Sequence, residues 1–276
     1  VYERLSLFAS AGASFCKKNG IPHAVEVNAP LAEEAASHRG LSNADSARTI
    51  ETETLQQADF LFPVSPALKR WLVGLGGSED RCIVLPNGIS EEWLQTHDVA
   101  PPRNAKVFRL GFVGSLRPWH DVKTLIAAMA ELPREQFVLS IVGDGPLHDD
   151  LQEWARHCAV SERVEWHGKM EHSDVIAAVD NMDCCVAPYS PGSRFYFCPV
   201  KIFEYGARQK PVIASDIAEL CEQFPQGTLK YYPAGNSKAL AEAAHSLAAD
   251  PEMASAYARR LNAFVSKHTW LSHARQ

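Results

Sequence analysis

The chain has 276 residues, of which 46% are hydrophobic and 22% charged, and its formal net charge is −6. This composition is typical of a globular protein with a substantial core, and the negative charge argues against a nucleic-acid binder, which usually carries a basic surface. No apolar run approaches the roughly 18–20 residues that span a bilayer, and the first residues lack the layout of an export signal. We therefore expect a cytoplasmic protein, at most peripherally associated with the inner face of a membrane.

The first part of the chain mixes helical and strand patterns. Apolar spacing, caps and turn signals predict these elements. They are a helix at 1–18, a strand at 22–27, a helix at 43–57, a strand at 58–65, a helix at 66–73 and a strand at 82–89.

A polar, proline-containing and aperiodic stretch follows at 96–106, and we place a domain boundary there. The predicted domains are a partial one at 1–103 and a second at 104–276, which restarts the alternation of strands and helices. Its predicted strands lie at 107–114, 164–168, 184–188 and 211–215, and a further strand with its turn occupies 137–146. Its predicted helices lie at 121–132, 148–158, 172–180, 199–207, 236–249 and 251–267. Such alternation predicts parallel α/β sheets.

Three glycine-bearing loops, 114–120, 143–146 and 167–170, come directly after predicted strands. Doubly wound sheets bind ligands beyond the carboxyl ends of their strands, and glycine lets backbone amides approach a phosphate closely. One such loop is as often only a tight turn. Three in one domain, with Arg117 beside the first, favour a phosphorylated ligand. No G-x-G-x-x-G opens a helix, so the pattern is not the dinucleotide fingerprint.

Residues 189–215 run from a strand through a long loop into a helix that begins at Pro199. Proline suits the first turn of a helix, and the neighbouring amides, those of Phe197 and Cys198 included, are then free to face an anion. Lys201 and Glu204 lie one helical turn apart on one face. Lys201 is suited to neutralise a phosphate, and Glu204 to accept two ribose hydroxyls. The alternative is an ion pair on a solvated surface, which composition alone favours.

Five motifs in this order resemble those of the large retaining glycosyltransferase family 4. They are VLPNGI, GFVGSLRPWHDVKTLIAA, IVGDGP, VEWHGKM and PVKIFEYGARQKPVIAS. The family has the GT-B architecture of two Rossmann-like α/β domains with parallel sheets, and residues 22–40 and 59–65 are similar to its first, acceptor-side domain. The resemblance implies a hexosyltransferase that moves a sugar, with retention, from a nucleoside-diphosphate sugar to an acceptor hydroxyl of a glycan, a lipid or a small molecule.

The resemblance also implies roles for single residues. Glu204 matches the glutamate that holds the donor ribose, Lys201 and Arg117 match basic residues near the diphosphate, and Gly114 matches the glycine whose loop approaches the phosphates. Asn28 stands where many members have a histidine near the transferred sugar, and it joins Arg117 and Lys201 as a catalytic candidate. The other candidate donor-binding positions are Ser115, His120, Asp144, Gly145, His167, Tyr196, Phe197 and Cys198; for His167, structural packing is the favoured alternative.

The chain departs from the family pattern at four positions. Tyr196 stands where the first glutamate of the family's pair is expected, and Ser115 replaces the usual arginine after the first glycine. His120 replaces a lysine, and Asn28 replaces the histidine. These departures leave two alternatives open, which are a catalytically inactive sugar-nucleotide-binding homologue and a GT-B nucleotide-sugar epimerase.

Acidic and sulfur-bearing residues show no metal-site spacing. No two aspartates are two positions apart, so the D-x-D pair expected for metal-assisted transfer is absent from the sequence. We therefore expect a metal-independent enzyme that needs no cofactor beyond its donor substrate. The seven cysteines are scattered without a C-x-x-C pair, which indicates buried thiols in a reducing compartment rather than a disulfide framework or a zinc site.

The first predicted domain is short. About 95 residues precede the linker, whereas domains commonly have roughly 100–200 residues. The family's first domain begins with a strand and a glycine-rich loop, and we find neither before the predicted helix at 1–18. We therefore expect a fragment truncated at the N-terminus, and at the C-terminus too, with an exposed sheet edge near residues 22–27.

Overall fold

The structure, a computed structural model, describes residues 1–38, 40–95, 107–192 and 194–275. Its contacts divide the chain into two compact units, each considered by itself. Unit 1 comprises Val1–Asn87 and Phe195–Cys198, and unit 2 comprises Gly88–Arg194 and Pro199–Gln276. The linker predicted at 96–106, with the boundary between residues 103 and 104, lies outside the described residues.

Unit 1 contains a three-stranded parallel sheet in the order β1-β2-β3. Its elements are β1 (Tyr2–Arg4), α1 (Ala11–Asn19), β2 (Ala24–Val27), α2 (Leu31–His38), α3 (Ala44–Gln57), β3 (Phe60–Pro63) and α4 (Pro66–Gly74). The predicted cap of α4 is confirmed, because the hydroxyl of Ser65 accepts a hydrogen bond from the Leu68 amide at 3.2 Å.

The predicted helix at 1–18 is wrong in its first part. Residues Tyr2–Arg4 form β1, which pairs in parallel with β2, and Phe8 has a φ of 62°, which a helix does not tolerate. Only the last part of the predicted helix exists, as α1. Because β2 has a neighbour on each side, the exposed edge predicted near residues 22–27 is also wrong.

The predicted strand at 82–89 is only extended chain. The amides of Ile83 and Leu85 donate to the carbonyls of Leu61 and Pro63 at 2.9 Å each, but the ladder is limited to a single bridge between Leu61 and Cys82. Pro86, which has no amide hydrogen, cannot continue the alternation. The segment therefore runs beside β3 without becoming a regular strand.

Unit 2 contains six parallel strands in the order β6-β5-β4-β7-β8-β9. The strands are β4 (Phe108–Val113), β5 (Phe137–Val142), β6 (Val164–Gly168), β7 (Cys184–Ala187), β8 (Val212–Asp216) and β9 (Lys230–Pro233). Counted from β4, this is the 3-2-1-4-5-6 order of a doubly wound sheet, whose strand order reverses between β4 and β7.

Helices alternate with these strands as predicted. They are α5 (Val122–Glu131), α6 (His148–His157), α7 (His172–Asp180), α8 (Val200–Ala207), α9 (Ala218–Cys221), α10 (Ser237–Ala249), α11 (Pro251–Val265) and α12 (Trp270–His273). The sequence did not predict the short elements α2, α9, β9 and α12. None of the helices in the described part of the chain combines the length and the apolar character of a membrane-spanning segment.

The core of unit 2 forms where apolar strands meet apolar helix faces. Leu110, Ile141 and Val186 of the central strands are buried, and α5 and α10 cover them with side chains such as Met129 and Leu240. Such continuous apolar runs are expected for parallel strands covered on both faces. All seven cysteines are free thiols, and the predicted burial of the adjacent pair at 184 and 185 is confirmed.

Residues 88–95 belong to unit 2, and buried Arg208 makes several of the contacts between them and the rest of that unit. Its guanidinium donates two hydrogen bonds of 2.7 Å to the Asp180 carboxylate and others to the carbonyls of Trp93 and Gln95. The arginine and aspartate side chains are only 5% and 12% exposed. The division between the units therefore comes before this stretch.

Removing this guanidinium should destabilise unit 2. Arg208→Met keeps most of the side-chain volume but leaves the Asp180 carboxylate buried without its partner, which costs about 3–5 kcal/mol. Denaturant unfolding measures the loss, with Arg156→Met as the control because Arg156 is exposed on α6. Equal losses for the two variants would show that the buried pair does not stabilise unit 2.

Candidate functional site

The candidate site in unit 2 lies where the strand order reverses. Gly114 directly follows β4, and the chain that leaves β7 leads to α8, which carries Lys201 and Glu204. Parallel sheets of this order bind ligands in the crevice beyond the carboxyl ends of the two strands at the reversal. The topology therefore brings the first glycine loop and α8 to the place where a ligand is expected.

Two of the glycine loops pack backbone against backbone. A Cβ atom at Gly143 would lie 2.1 Å from the Gly114 carbonyl oxygen, and one at Gly145 would lie 2.7 Å from the Leu116 amide nitrogen and oxygen. The Leu116 amide donates to the Asp144 carbonyl at 3.0 Å. Gly114, Asp144 and Gly145, three of the predicted residues, thus belong to one compact turn cluster.

Lys201 reaches this cluster from the first turn of α8. Its ammonium nitrogen lies 2.9 Å from where a Cβ of Gly114 would be, so the absence of a side chain at Gly114 makes room for it. The same nitrogen lies over the rings of Phe112 and Tyr189, 4.4 and 5.7 Å from their centroids. Burial lowers the pKa of Lys201 to about 7, although the nearby Glu204 carboxylate opposes the shift.

Tyr205 fixes α8 to the end of β4. Its buried hydroxyl accepts a hydrogen bond of 2.7 Å from the Val113 amide, one residue before Gly114. This contact sets the distance between the helix that carries Lys201 and the loop that Lys201 approaches. Tyr205 follows Glu204 directly in the sequence, but no sequence pattern indicates that its side chain reaches β4.

His120 links Lys201 to the first glycine loop. Its Nδ1 lies 2.7 Å from the Ser115 carbonyl oxygen, and its Nε2 lies 3.0 Å from the Lys201 ammonium nitrogen. Burial, followed by the charge of Lys201, lowers the pKa of His120 to about 3, so the ring is neutral at physiological pH. Ser115, His120 and Lys201, all predicted as site residues, are therefore directly connected.

Glu204 lies one turn beyond Lys201 on α8 and is partly buried. Among the described residues, its carboxylate makes no hydrogen bond and no ion pair within 4 Å, so the ion-pair alternative for Lys201 and Glu204 does not apply. Burial raises the pKa of Glu204, and the charges of His172 and Lys201 oppose the shift. Without a hydrogen-bond donor from the described residues, both oxygens of this partly buried carboxylate are able to accept hydrogen bonds from a ligand.

Two other predicted residues of unit 2 lie in different surroundings. Arg117 is exposed on the first glycine loop, with its guanidinium carbon 5.9 Å from the centroid of the Trp119 ring. His167 contacts Ser140 at 2.8 Å and Glu165 at 3.6 Å, both through Nε2. Those contacts agree with the packing alternative for His167.

The remaining predicted residues group with unit 1. Asn28 follows β2 and donates to the Glu26 carboxylate at 2.5 Å. The hydroxyl of Tyr196 donates to the Glu34 carboxylate at 2.9 Å, and its carbonyl accepts from the Ser65 hydroxyl. The other two predicted residues of this segment are Phe197 and Cys198.

The Lys201 ammonium has aromatic neighbours that the sequence did not predict. The rings of Phe112 and Tyr189 contact the Lys201 ammonium, and a cation above a ring face is attracted by the electron density of that face. Phe112 lies within the first of the glycine-loop motifs and Tyr189 just after β7, but no sequence pattern indicates that either ring approaches Lys201. Among the described residues, no group of three or more His, Cys, Asp or Glu side chains is arranged to hold a metal ion.

The family model for "Glycosyl transferases group 1" matches residues 107–250, which are just over half of the chain. The chain belongs to that family. The match begins at β4 and ends after α10, so it includes the glycine loops and all of α8.

Individual relatives agree with this membership. A glycogen synthase from Mycobacterium tuberculosis is 27% identical over 236 residues, which are 83% of this chain and 55% of that protein. A phosphatidyl-myo-inositol mannosyltransferase from Mycobacterium leprae is 26% identical over 215 residues, covering 75% of this chain and 54% of that protein. The chain thus spans about half the length of these curated relatives.

A solved structure shows the same fold. HepE from Anabaena, crystallised with UDP and glucose, superimposes with a TM-score of 0.78 at 20% identity, covering 96% of this chain and 72% of that one. With two parallel sheets present, the predicted α/β fold of GT-B type is confirmed.

Alanine substitutions at two glycines should differ in cost. Gly143→Ala should destabilise unit 2 more than Gly114→Ala, because the new Cβ meets the Gly114 backbone in the first case and the movable end of Lys201 in the second. We expect a loss of about 3 kcal/mol or more for Gly143→Ala and about 1–2 kcal/mol for Gly114→Ala. Denaturant unfolding measures both, with Gly20→Ala as a control that has a positive φ but no atom within 4 Å. Equal losses would contradict the packed arrangement of the loops.

Proposed function

We propose that this chain carries the donor-binding part of a retaining, metal-independent glycosyltransferase. The enzyme moves a hexose-type sugar from a nucleoside diphosphate to a hydroxyl of a glycan, lipid-linked or small-molecule acceptor. One observation carries the proposal. A partly buried cation at Lys201 lies beside the backbone of a glycine loop at the sheet's switch point, one helical turn from the Glu204 carboxylate, which makes no hydrogen bond and no ion pair within 4 Å among the described residues.

The chemical problem in this reaction is the departure of a diphosphate. The bond between the anomeric carbon and the β-phosphate oxygen breaks, a bond from the same carbon to the acceptor oxygen forms, and the acceptor proton passes to the departing phosphate. Negative charge grows on the leaving group as the first bond breaks. A preorganised cation lowers the barrier at that point, because it is already oriented before the charge develops. Lys201 supplies this cation, and Arg117 adds a second one on the first glycine loop.

Glu204 suits the ribose of the donor. A carboxylate accepts hydrogen bonds from two neighbouring hydroxyls at once, and the Glu204 carboxylate is partly buried without competing protein donors. Its position one turn from Lys201 matches the order of ribose and diphosphate along a nucleotide. The proposed donor therefore lies along α8, with its phosphates toward the first turn.

A sugar-nucleotide-binding protein without transferase activity is the second candidate. Two observations in unit 1 favour it, since Asn28 is bonded to Glu26 and Tyr196 is bonded to Glu34, at positions where the resemblance places a histidine and a glutamate. Such a protein would bind a nucleoside diphosphate through the same residues of unit 2. Turnover separates the two candidates.

Glu204→Gln should weaken nucleotide binding without unfolding the protein. The amide replaces one of the two acceptor oxygens by a donor group, and the lost hydrogen bond to ribose costs about 1–3 kcal/mol. Calorimetry with UDP and GDP measures the change for whichever nucleotide the parent binds, with Glu242→Gln on the exposed side of α10 as the control. An affinity unchanged from the parent would remove Glu204 from the ribose site.

A panel of radiolabelled nucleoside-diphosphate sugars tests the activity itself. We expect transfer to an added acceptor, or hydrolysis of one donor, to continue in EDTA, because fixed cations rather than a metal ion stabilise the leaving diphosphate. Binding without any turnover would favour the second candidate. Activity that disappears in EDTA and returns with manganese would overturn metal independence.

A further inference from the structure

We propose that His120 is a positioning residue, which holds the Lys201 ammonium over the first glycine loop through a neutral imidazole protonated on Nδ1. The inference rests on the proposed function only for the identity of the anion that Lys201 meets. Direct contact between His120 and the donor is not part of this role, because both ring nitrogens already contact other groups of the protein.

The hydrogen-bond directions follow from the chemistry of the partners. A carbonyl oxygen can only accept, so the 2.7 Å contact with Ser115 requires a hydrogen on Nδ1. A neutral imidazole carries one such hydrogen, and Nε2 therefore presents a lone pair. Lys201 donates to that lone pair across 3.0 Å. The ring thus joins the loop carbonyl to the ammonium in a fixed order.

The surroundings of the ring keep it neutral and oriented. Phe112 and Tyr189 lie against it with ring centroids 5.7 Å away, and Trp119 lies 6.0 Å away. Burial among these rings disfavours a charged imidazole, as does the neighbouring ammonium, and the pKa of His120 is accordingly lowered. A second proton on the ring would place two positive charges 3.0 Å apart and would break the contact with Lys201.

The contact with His120 should affect binding by fixing the position of the Lys201 ammonium. Four carbon atoms separate the Lys201 ammonium from its helix, and such a chain has several rotamers to lose when it is held in one place. With Nε2 as a fixed acceptor, the ammonium stays beside Gly114 before an anion arrives. Removing that acceptor should weaken the binding of a diphosphate and leave the binding of the nucleoside unchanged.

Two substitutions distinguish the contact that His120 makes with Ser115 from the contact that it makes with Lys201. His120→Asn retains a donor near the place of Nδ1 but offers Lys201 no acceptor, whereas the longer side chain of His120→Gln carries an oxygen to the place of Nε2. We expect His120→Asn to weaken UDP or GDP binding about tenfold, with uridine or guanosine unaffected, and His120→Gln to restore part of the loss. His157→Asn, an exposed histidine on α6, is the control.

A double-mutant cycle excludes a merely structural effect. Lys201→Met removes the charge, so adding His120→Asn to it should cost almost nothing further in diphosphate binding if the ring acts through Lys201. Losses that add in full would overturn the inference. So would an equal weakening of nucleoside and nucleoside diphosphate by His120→Asn alone.

Nitrogen NMR of the ligand-free protein gives a readout that does not depend on a nucleotide. The ring of His120 should show the neutral form with hydrogen on Nδ1 throughout about pH 5–8. Hydrogen on Nε2, or protonation near the ordinary histidine pKa, would refute the inference. If the parent binds no nucleoside diphosphate, the proposed function fails, and the tautomer still decides the role of His120.

Discussion

The candidate site depends on how closely two strand-to-helix turns approach each other. The Gly114 carbonyl occupies the space where a side chain at position 143 would begin, and a Cβ atom added to Gly143 would lie 2.1 Å from that oxygen. The approach puts the ends of β4 and β5 in direct contact, and the absence of a side chain at Gly114 leaves its outer side open to Lys201. Gly114, which Lys201 approaches, takes part in this backbone contact, and packing this close restricts independent movement of the two loops.

The Lys201 ammonium beside Gly114 is unfavourable for the stability of the ligand-free protein. Partial burial of an ammonium that has no directly paired carboxylate is unfavourable, and the two rings and one imidazole around Lys201 replace only part of its hydration. Burial accordingly lowers the pKa of Lys201, although the charge of Glu204 opposes the shift. An anion at Gly114 would remove the cost of burial by supplying the missing opposite charge. A site that is costly in the free protein and favourable with a bound anion is the arrangement expected of a binding site.

The sequence predicts most of the helices and strands of unit 2 and a smaller share of those of unit 1. Strands β4 to β8 and their helices were predictable because each apolar run is bounded by a glycine, a proline or a capping residue, as Asp121 caps α5. The strand β1 was not, because three residues with mixed polarity become a strand only by pairing with β2. The glycines, Lys201 and Glu204 were identified from motifs. Their connections through Tyr205 and His120 were not, since those contacts join elements far apart in the sequence.

The contact with Lys201 accounts for one departure from the family pattern, the histidine at position 120. The resemblance places a lysine at position 120, where this chain has histidine, and the structure places the Lys201 ammonium 3.0 Å from that ring. Two ammonium groups about 4 Å apart would repel each other by about 4 kcal/mol at an effective dielectric constant of about 20. A neutral acceptor at position 120 avoids that repulsion and orients the one cation that remains. The roles of residues 120 and 201 therefore depend on each other, because the neutral ring of His120 contacts the charged ammonium of Lys201. Neither role can be interpreted from its own motif alone.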